Sequence, residues 1–321
     1  MNCILGIDTS NYTTSCALCT VEGTVLLQKK KLLPVPTGEK GLRQSDALFH
    51  HTKALPILLE ELFVQAQHPN LCGVGVSTRP RPVEGSYMPC FLAGVNAASA
   101  IAAANGLPLA PFSHQEGHIA AAAYSAKLDR TKISSYFALH LSGGTTELLD
   151  ITDTNGKLTV KCIGGTEDLS AGQVIDRIAL AMGLAFPGGA ALEALALSTG
   201  HAPEQCKDVK VSVTGTKCHF SGLENQACRR LTEGESAAQT ALYVFATIQK
   251  TLLRLLANAM VRYGKKPVLF AGGVMSSHIM RPALQRSCDA YFADGAYASD
   301  NAAGIALLAT QSYKNVEDLR L

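Results

Sequence analysis

The sequence predicts an α/β fold assembled from two similar halves. A strand–turn–strand pattern opens each half, at residues 4–18 and 136–151. Residues 71–77 and 267–270 are short apolar runs of the kind found in buried parallel strands. Because the same plan recurs, we expect a duplicated domain with a cleft between its halves.

Helical segments follow the strands in both halves. In the first half they cover residues 46–67 and 92–105, and in the second half residues 171–184 and 237–263. Leucines recur on one face of the first of these segments, as expected for an amphipathic helix. Strands that alternate with helices of this length are typical of an α/β protein.

The composition fits a well-packed globular protein. Of the 321 residues, 47% are hydrophobic and 17% are charged, which excludes disordered and fibrous classes. No apolar run approaches the roughly 20 residues of a membrane span. The first residues resemble a strand and not a signal peptide, so we expect a cytoplasmic protein without membrane contact. The net charge of +2 indicates no overall basic surface, although residues 29–31 are a run of lysines.

Ten cysteines are scattered through apolar segments. This distribution is typical of reduced, mostly buried thiols. Cys16 and Cys19 form a C-x-x-C spacing, but they lie inside an alternating strand pattern without a second pair. We therefore expect structural thiols here and not a redox or zinc pair.

Two histidines in the segment Ser113-His114-Gln115-Glu116-Gly117-His118 are four residues apart, beside an alanine-rich helical stretch. At about 100° per residue, both imidazoles lie on one helix face and can share a metal ion. A metallopeptidase is the first alternative. In H-E-x-x-H enzymes the glutamate follows the first histidine directly, whereas here Gln115 takes that position and Glu116 faces away from His114.

Two turns rich in hydroxyl groups or glycine stand at matching places in the two halves. One contains Asp8 and Ser10, and the other is Ser142-Gly143-Gly144-Thr145-Thr146. Glycines without side chains let backbone N–H groups approach an anion, so such turns can hold a phosphate. The alternative for a single turn is a tight hairpin that needs glycine for its positive φ.

Further turns lie in the second half. Gly272 and Gly273 follow a strand, where small residues let a flat ring or a ribose press against the backbone. Asp176 and Glu193 flank the turn Pro187-Gly188-Gly189 and are either ribose ligands or solvated carboxylates.

These motifs together resemble the TsaD family, the catalytic subunits of tRNA threonylcarbamoyladenosine synthesis, once described as O-sialoglycoprotein endopeptidases. The matching motifs are Gly6-Ile7-Asp8-Thr9-Ser10, His114-Gln115-Glu116-Gly117-His118, Leu141-Ser142-Gly143-Gly144-Thr145-Thr146-Glu147-Leu148, Ala171-Gly172, Ile175-Asp176, Gly183-Leu184, Pro187-Gly188-Gly189, Phe220-Ser221-Gly222-Leu223, Ala271-Gly272-Gly273-Val274 and Ser299-Asp300-Asn301.

The resemblance implies the actin/Hsp70/sugar-kinase (ASKHA) fold, with two domains around a nucleotide cleft. We expect residues 1–130 to form the first domain, completed by a C-terminal helix at 300–321, and residues 131–299 to form the second.

The resemblance also implies the site residues. One iron or zinc ion is expected on His114, His118 and Asp300. The residues expected to bind an adenylate-type nucleotide or substrate are Asp8, Ser10, Ser142, Gly143, Gly144, Thr145, Asp176, Gly189, Glu193, Gly272, Gly273 and Ser277.

The implied reaction transfers a threonylcarbamoyl group from threonylcarbamoyl-AMP to an adenosine of tRNA. The implied partners are tRNA, a smaller TsaB-like paralogue and a TsaE-like ATPase. A homodimer through the first half, where residues 92–105 offer small side chains, is a further possibility.

Several positions depart from the family pattern. Tyr12 and Thr13 replace an acidic pair, Thr145 replaces a histidine, Ser277 replaces an asparagine, and Glu224-Asn225 replaces a lysine and a threonine. The metal ligands are retained, whereas nucleotide-facing and tRNA-facing positions differ. This pattern is typical of a divergent paralogue that carbamoylates another acceptor.

Other interpretations stay open at this point. A nucleotide-binding scaffold without activity would keep the fold, and a sugar kinase would share the phosphate turns but use an aspartate base and magnesium. His50 and His51 are expected at a helix start, either facing a partner or solvated. Arg79 and Arg81 belong to a loop over the expected metal site, where they either meet phosphate or are solvated.

Overall fold

The computed structural model describes residues 1–10, 12–34, 42–154, 156–297 and 302–318, the side chains of the last four residues excepted. The strands are β1 (Asn2–Ser10), β2 (Thr13–Thr20), β3 (Val25–Leu32), β4 (Asn70–Arg79), β5 (Leu109–Ser113), β6 (Ser135–Leu141), β7 (Thr146–Thr154), β8 (Lys157–Thr166), β9 (Ser212–Thr214), β10 (Lys217–His219), β11 (Val268–Ala271) and β12 (Ala290–Phe292). The helices are α1 (Gln44–Gln65), α2 (Phe91–Asn105), α3 (His114–Ser125), α4 (Ala171–Ala181), α5 (Gly189–Ser198), α6 (Ser221–Thr232), α7 (Ala237–Tyr263), α8 (Arg281–Ser287) and α9 (Ala303–Asp318).

The strands form two sheets with the same plan. The first has the order β3-β2-β1-β4-β5, and the second contains the equivalent order β8-β7-β6-β11-β12, extended beyond β8 by β10 and β9. In each, three antiparallel strands are followed by two parallel ones. The expected duplication is therefore confirmed, and the four helices predicted from the sequence end within three residues of their observed bounds.

The first sheet is covered on both faces. Leu5 and Ile7 of β1 belong to a core that includes α1 and α2. The intervening Gly6 faces α9, because side chains alternate along a strand. A Cβ on Gly6 would lie 2.5 Å from the backbone of Ala302 and Ala306, so α9 packs directly on the sheet backbone.

The second sheet separates two further cores. Phe137, Leu139 and Leu141 of β6 point toward α4, α5, α6 and α7, which form the largest apolar cluster. Tyr136 and Ala138 point to the opposite face, where they pack with residues of α3. Helix α3 therefore lies between the two sheets, in contact with α9 on one side and the second sheet on the other.

The C-x-x-C cysteines are buried on opposite faces of β2. Cys16 packs in the core with α1, and Cys19 packs with α9. Burial raises the pKa of both thiols to about 12. Two thiols on opposite faces of a strand cannot join one metal ion or one disulfide, so the expectation of structural cysteines is confirmed.

His51 is fully buried in α1, and its Nδ1 lies 2.7 Å from Oγ1 of Thr14 on β2. Burial lowers the pKa of His51 to about 4. The interpretation of His50 and His51 as a solvated first turn is therefore wrong for His51, which joins α1 to the first sheet. Within the described ranges, no helix is long and apolar enough to span a membrane.

Candidate metal and nucleotide site

Helix α3 begins with a capping box that sets the histidines in place. Ser113 Oγ accepts a hydrogen bond from the backbone N–H of Glu116 at 3.2 Å, and Glu116 Oε2 accepts one from the N–H of Ser113 at 2.7 Å. His114 is thereby the first helical residue, and His118 follows one turn later. Because the Glu116 carboxylate is buried in this cap, it is not placed to act as a peptidase base.

The two imidazoles converge on one point. Nε2 of His114 lies 2.8 Å from Nε2 of His118. Nδ1 of His114 lies 2.9 Å from Oδ2 of Asp8, whose buried carboxylate also accepts a hydrogen bond from Ser77. A carboxylate on Nδ1 orients a histidine so that its Nε2 is available as a ligand, an arrangement common beside protein metals.

This donor set fits iron or zinc, both of which accept imidazole nitrogen. Within the part of the chain that the structure describes, no three His, Cys, Asp or Glu side chains form a metal-binding group. The histidine pair can offer two imidazole nitrogens to a metal ion there. Asp300, the third ligand implied by the resemblance, lies outside the described residues.

A cavity of about 170 Å³ lies beside the histidines, between α3 and the second sheet. Its apolar wall comes from Ile119 and Ala122 of α3 and from sheet residues that include Leu149 and Leu269. The polar residues that line it are Arg81, His114, Gln115, His118, His140, Thr145, Glu147 and Tyr297. The cavity is therefore an apolar recess with a polar rim.

His140 and Glu147 also line the cavity, although neither is among the site residues expected from the sequence. His140 is directly opposite Glu147 in the β6–β7 pair, and its ring centre lies 5.8 Å from that of His118. The alternation along β6 was a usable signal, since His140 shares the α3-facing side with Tyr136 and Ala138.

Arg81 contacts Glu147 across the cavity rim. Nη2 of Arg81 lies 2.6 Å from Oε1 of Glu147, and Nε2 of Gln115 donates to the other carboxylate oxygen at 3.3 Å. The Arg81 side chain is 55% exposed, whereas that of Glu147 is 15% exposed. Arg81 is therefore a largely exposed loop arginine, as one of the two alternatives expected, and it also forms an ion pair at the cavity.

The Ser142–Thr145 turn joins β6 to β7, and Ser142 N–H donates to the Thr145 carbonyl at 2.9 Å. Neither Gly143 nor Gly144 adopts a positive φ, so a hairpin that requires glycine conformations is the wrong explanation for this pair. A Cβ on either glycine would face open space. The two glycines therefore leave an open stretch of backbone beside the cavity.

The start of α4 packs against this turn. A Cβ on Gly172 would lie 2.4 Å from the Ser142 carbonyl oxygen, so only glycine fits there. Ser170 Oγ donates to the Gly143 carbonyl at 2.8 Å and also caps α4 by accepting from Gln173 N–H. The helix start and the turn are thus held together by backbone contact.

Asp176 and Glu193, two further residues expected to bind the nucleotide, form hydrogen bonds within the second half. Asp176 accepts from Gly188 N–H at 2.8 Å, next to Gly189. Glu193 accepts from Ser277 Oγ at 2.9 Å and from Ile279 N–H at 2.8 Å. Both carboxylates are partly buried, and each one joins a helix, α4 or α5, to a turn of the second half.

The backbone of Gly272 packs directly against the end of β6. It has a φ of +91°, and a Cβ there would lie 2.1 Å from the Leu141 carbonyl oxygen, whereas Gly273 faces open space. Gly272 and Thr145 line the cavity together with both histidines. The structure thus brings the histidine pair, Thr145 and Gly272 to one cavity. Asp8 lies behind the histidines, and Ser10 is buried at the end of β1. The other expected nucleotide residues do not line this cavity; they are Ser142, Gly143, Gly144, Asp176, Gly189, Glu193, Gly273 and Ser277.

Solved structures place this architecture in a known class. Full-length HypF in its phosphate- and nucleotide-bound form matches with a TM-score of 0.59 at 13% identity, over 98% of this chain and 47% of that one. The activator of 2-hydroxyisocaproyl-CoA dehydratase from Clostridium difficile matches with a TM-score of 0.53 at 12% identity, over 99% and 97%. The fold is that of the ASKHA class, as expected.

Within that class, the family model for TsaD, described as tRNA N6-adenosine threonylcarbamoyltransferase, matches residues 35–307. Proteins of that description from Campylobacter fetus and Methanopyrus kandleri are 30% and 29% identical to the chain. They match 97% and 95% of it and 92% and 86% of their own lengths. The chain therefore belongs to the TsaD family of carbamoyltransferase enzymes. A 28% identical relative in Thermoplasma acidophilum is described as a probable bifunctional tRNA threonylcarbamoyladenosine biosynthesis protein.

Proposed function

We propose that this protein transfers a threonylcarbamoyl group from threonylcarbamoyl-AMP to an adenosine of tRNA. One observation carries the proposal: a single cavity is lined both by the histidine pair and by Thr145 and Gly272 of the glycine turns. A donor with its phosphate at the turns can therefore place its carbamoyl carbon beside the histidines.

A divalent metal, iron or zinc, would be held by His114 and His118, with Asp300 as the third ligand. Asp8 would keep His114 in the ligand orientation through the 2.9 Å contact with Nδ1. When bound, the metal would supply Lewis-acid polarisation of the carbamoyl oxygen.

The glycine turns would bind the leaving group. In the reaction, the adenosine amine forms a C–N bond to the carbamoyl carbon, the C–O bond to the phosphate breaks, and the amine releases a proton. AMP leaves with the bonding electrons, so negative charge grows on its phosphate. The open backbone at Gly143 and Gly144 offers N–H groups to that charge. Gly189, Gly273, Asp176, Glu193 and Ser277 would form the adenosine side of the same site.

A second candidate is carbamoylation of an acceptor other than tRNA. It is favoured by Glu224, which replaces a family lysine and pairs with Arg177 at 3.1 Å. This pair leaves less positive charge at the start of α6 than two basic residues would, and positive charge is the main source of affinity for RNA.

The first half also offers a surface for a partner. In α2, the exposed positions Ser99, Ala100 and Ala103 carry small side chains, which let a second helix approach closely. We propose that a homodimer forms through this face, and sedimentation of an Ala100→Glu variant tests it. The smaller paralogue and the ATPase would be further partners in the reaction.

The test of function is direct. The protein is incubated with threonylcarbamoyl-AMP and unmodified tRNA, with and without the family's partner proteins, and threonylcarbamoyladenosine is quantified by mass spectrometry. We expect product with the native chain and with the matched control His219→Ala, an exposed histidine, and none with His118→Ala. Bound metal and AMP release without tRNA product would favour the second candidate. Metal retained in His118→Ala would contradict the ligand assignment.

A further inference from the structure

We propose that Arg81 recognises the carboxylate of the donor's amino-acid portion, so that the cavity beside the histidines selects N-carbamoyl amino acids that carry a negative charge. This inference rests on the proposed function and deepens it. It assigns a specificity-determining residue to one end of the donor.

The charge of the cavity supports this assignment. Among its described lining residues, Arg81 is the only lysine or arginine, and much of the remaining wall is apolar. An anion that enters an apolar recess loses hydration, so it needs a cationic partner there. The planar guanidinium with five N–H donors matches a carboxylate with two parallel hydrogen bonds.

The layout of the cavity supports it as well. Thr145 and Gly272 of the glycine turns, both histidines and Arg81 all line this one cavity. A donor held by its phosphate at the turns and by its carbamoyl group at the histidines has its amino-acid portion left for the other lining residues. That portion would lie between the apolar wall and Arg81.

In the absence of donor, the Glu147 carboxylate occupies the position on Arg81 that the donor carboxylate would take. It holds Arg81 at 2.6 Å over the cavity rim. Its second oxygen accepts from Gln115, so Glu147 keeps a hydrogen-bond partner if Arg81 turns to the donor. Arg81 is 55% exposed on a loop after β4, which leaves its side chain room to exchange partners.

The experiment measures the Kd of three probes by isothermal titration calorimetry. They are AMP, a hydrolysis-resistant carbamoyl-adenylate analogue without an amino acid, and the corresponding threonylcarbamoyl-adenylate analogue. For Arg81→Gln we expect the Kd of the third probe to rise about tenfold to a hundredfold, since a hydrogen-bonded charge is lost. The Kd values of the first two probes should stay unchanged. The exposed neighbour Arg79, which does not line the cavity, gives the matched control Arg79→Gln, which should leave all three unchanged.

A second variant separates recognition from a merely structural ion pair. Glu147→Gln keeps the size of the side chain but removes the competing charge, so we expect threonylcarbamoyl-adenylate binding to become tighter. If the Arg81–Glu147 pair served only to hold the loop, Arg81→Gln and Glu147→Gln would both weaken threonylcarbamoyl-adenylate binding. Circular dichroism checks that each variant is folded.

Other outcomes overturn the inference in distinguishable ways. Equal weakening of AMP and of the threonylcarbamoyl analogue in Arg81→Gln would make Arg81 a phosphate ligand. Unchanged binding of all three probes in Arg81→Gln would remove Arg81 from the donor site. If the native chain binds AMP but binds the threonylcarbamoyl analogue no more tightly than the carbamoyl analogue, only this inference fails. If it binds none of the probes, the proposed function fails with it.

Discussion

Gly304 of α9 lies against Gly117 of α3, the helix that carries both histidines. A Cβ on residue 304 would stand 1.8 Å from the Gly117 carbonyl oxygen and 2.9 Å from the Ala121 nitrogen. Ordinary contacts of this kind begin at 3.4 Å. The substitution Gly304→Ala therefore forces the two helices apart at the point where α9 also packs on β1.

The magnitude follows from two opposing effects. Overpacking in a tight core costs about 1–3 kcal/mol, and the upper value applies because the obstructing atoms are backbone and cannot rotate away. Replacing glycine by alanine inside a helix returns about 1 kcal/mol. We expect the free energy of unfolding to fall by about 2 kcal/mol.

Urea unfolding followed by circular dichroism measures this change. The matched control is Gly222→Ala in α6, where a Cβ would find its nearest neighbour, the Gln226 amide, at 3.8 Å. That variant should be as stable as the native chain or slightly more stable. If Gly304→Ala unfolds at the same urea concentration as Gly222→Ala, the close approach of α3 and α9 is not what makes glycine necessary.

Three further predictions concern named side chains. His51 has a folded pKa of about 4, below the unfolded value of 6.5, so the folded state loses stability as the pH falls from about 6.5 to 4, by up to about 3 kcal/mol. In urea titrations, His51→Gln should reduce the loss of unfolding free energy at low pH, whereas the exposed control His68→Asn should retain that loss. Equal pH profiles of the two variants would contradict the burial argument. Asp8→Asn should lower zinc affinity tenfold to a hundredfold in a chelator competition assay, because His114 loses its orienting carboxylate, and unchanged affinity would remove Asp8 from the metal site. Glu116→Ala should cost about 1–2 kcal/mol of unfolding free energy through loss of the capping box, and a stability equal to the native chain would refute that role.

Local patterns explain why so much of the fold was predictable. Strand alternation and helical periodicity are properties of neighbouring residues, so the bounds of α1, α2, α4 and α7 followed from the chain itself. The spacing of His114 and His118 is likewise local, since four residues make about one helical turn. Their convergence at 2.8 Å needed only that this segment be a helix.

The composition of the glycine turns left two explanations open. Both a phosphate turn and a strained hairpin use glycine, and the residue type alone does not set φ. The observed negative φ and open surroundings of Gly143 and Gly144 removed the hairpin explanation. Gly117 and Gly304 show another use, close approach of two backbones, for which no local pattern exists.

The α/β class, the duplication, the family and the histidine pair follow from the order of amino acids alone, because each depends on residues close together in the chain or on ordered motifs. The surroundings of the histidine pair depend instead on long-range packing. Asp8 and His114 are 106 residues apart and Arg81 and Glu147 are 66 apart, yet both pairs are in contact. Such contacts depend on how α3 is held between two sheets by packing across the whole molecule, and packing of that kind leaves no periodic trace in the sequence.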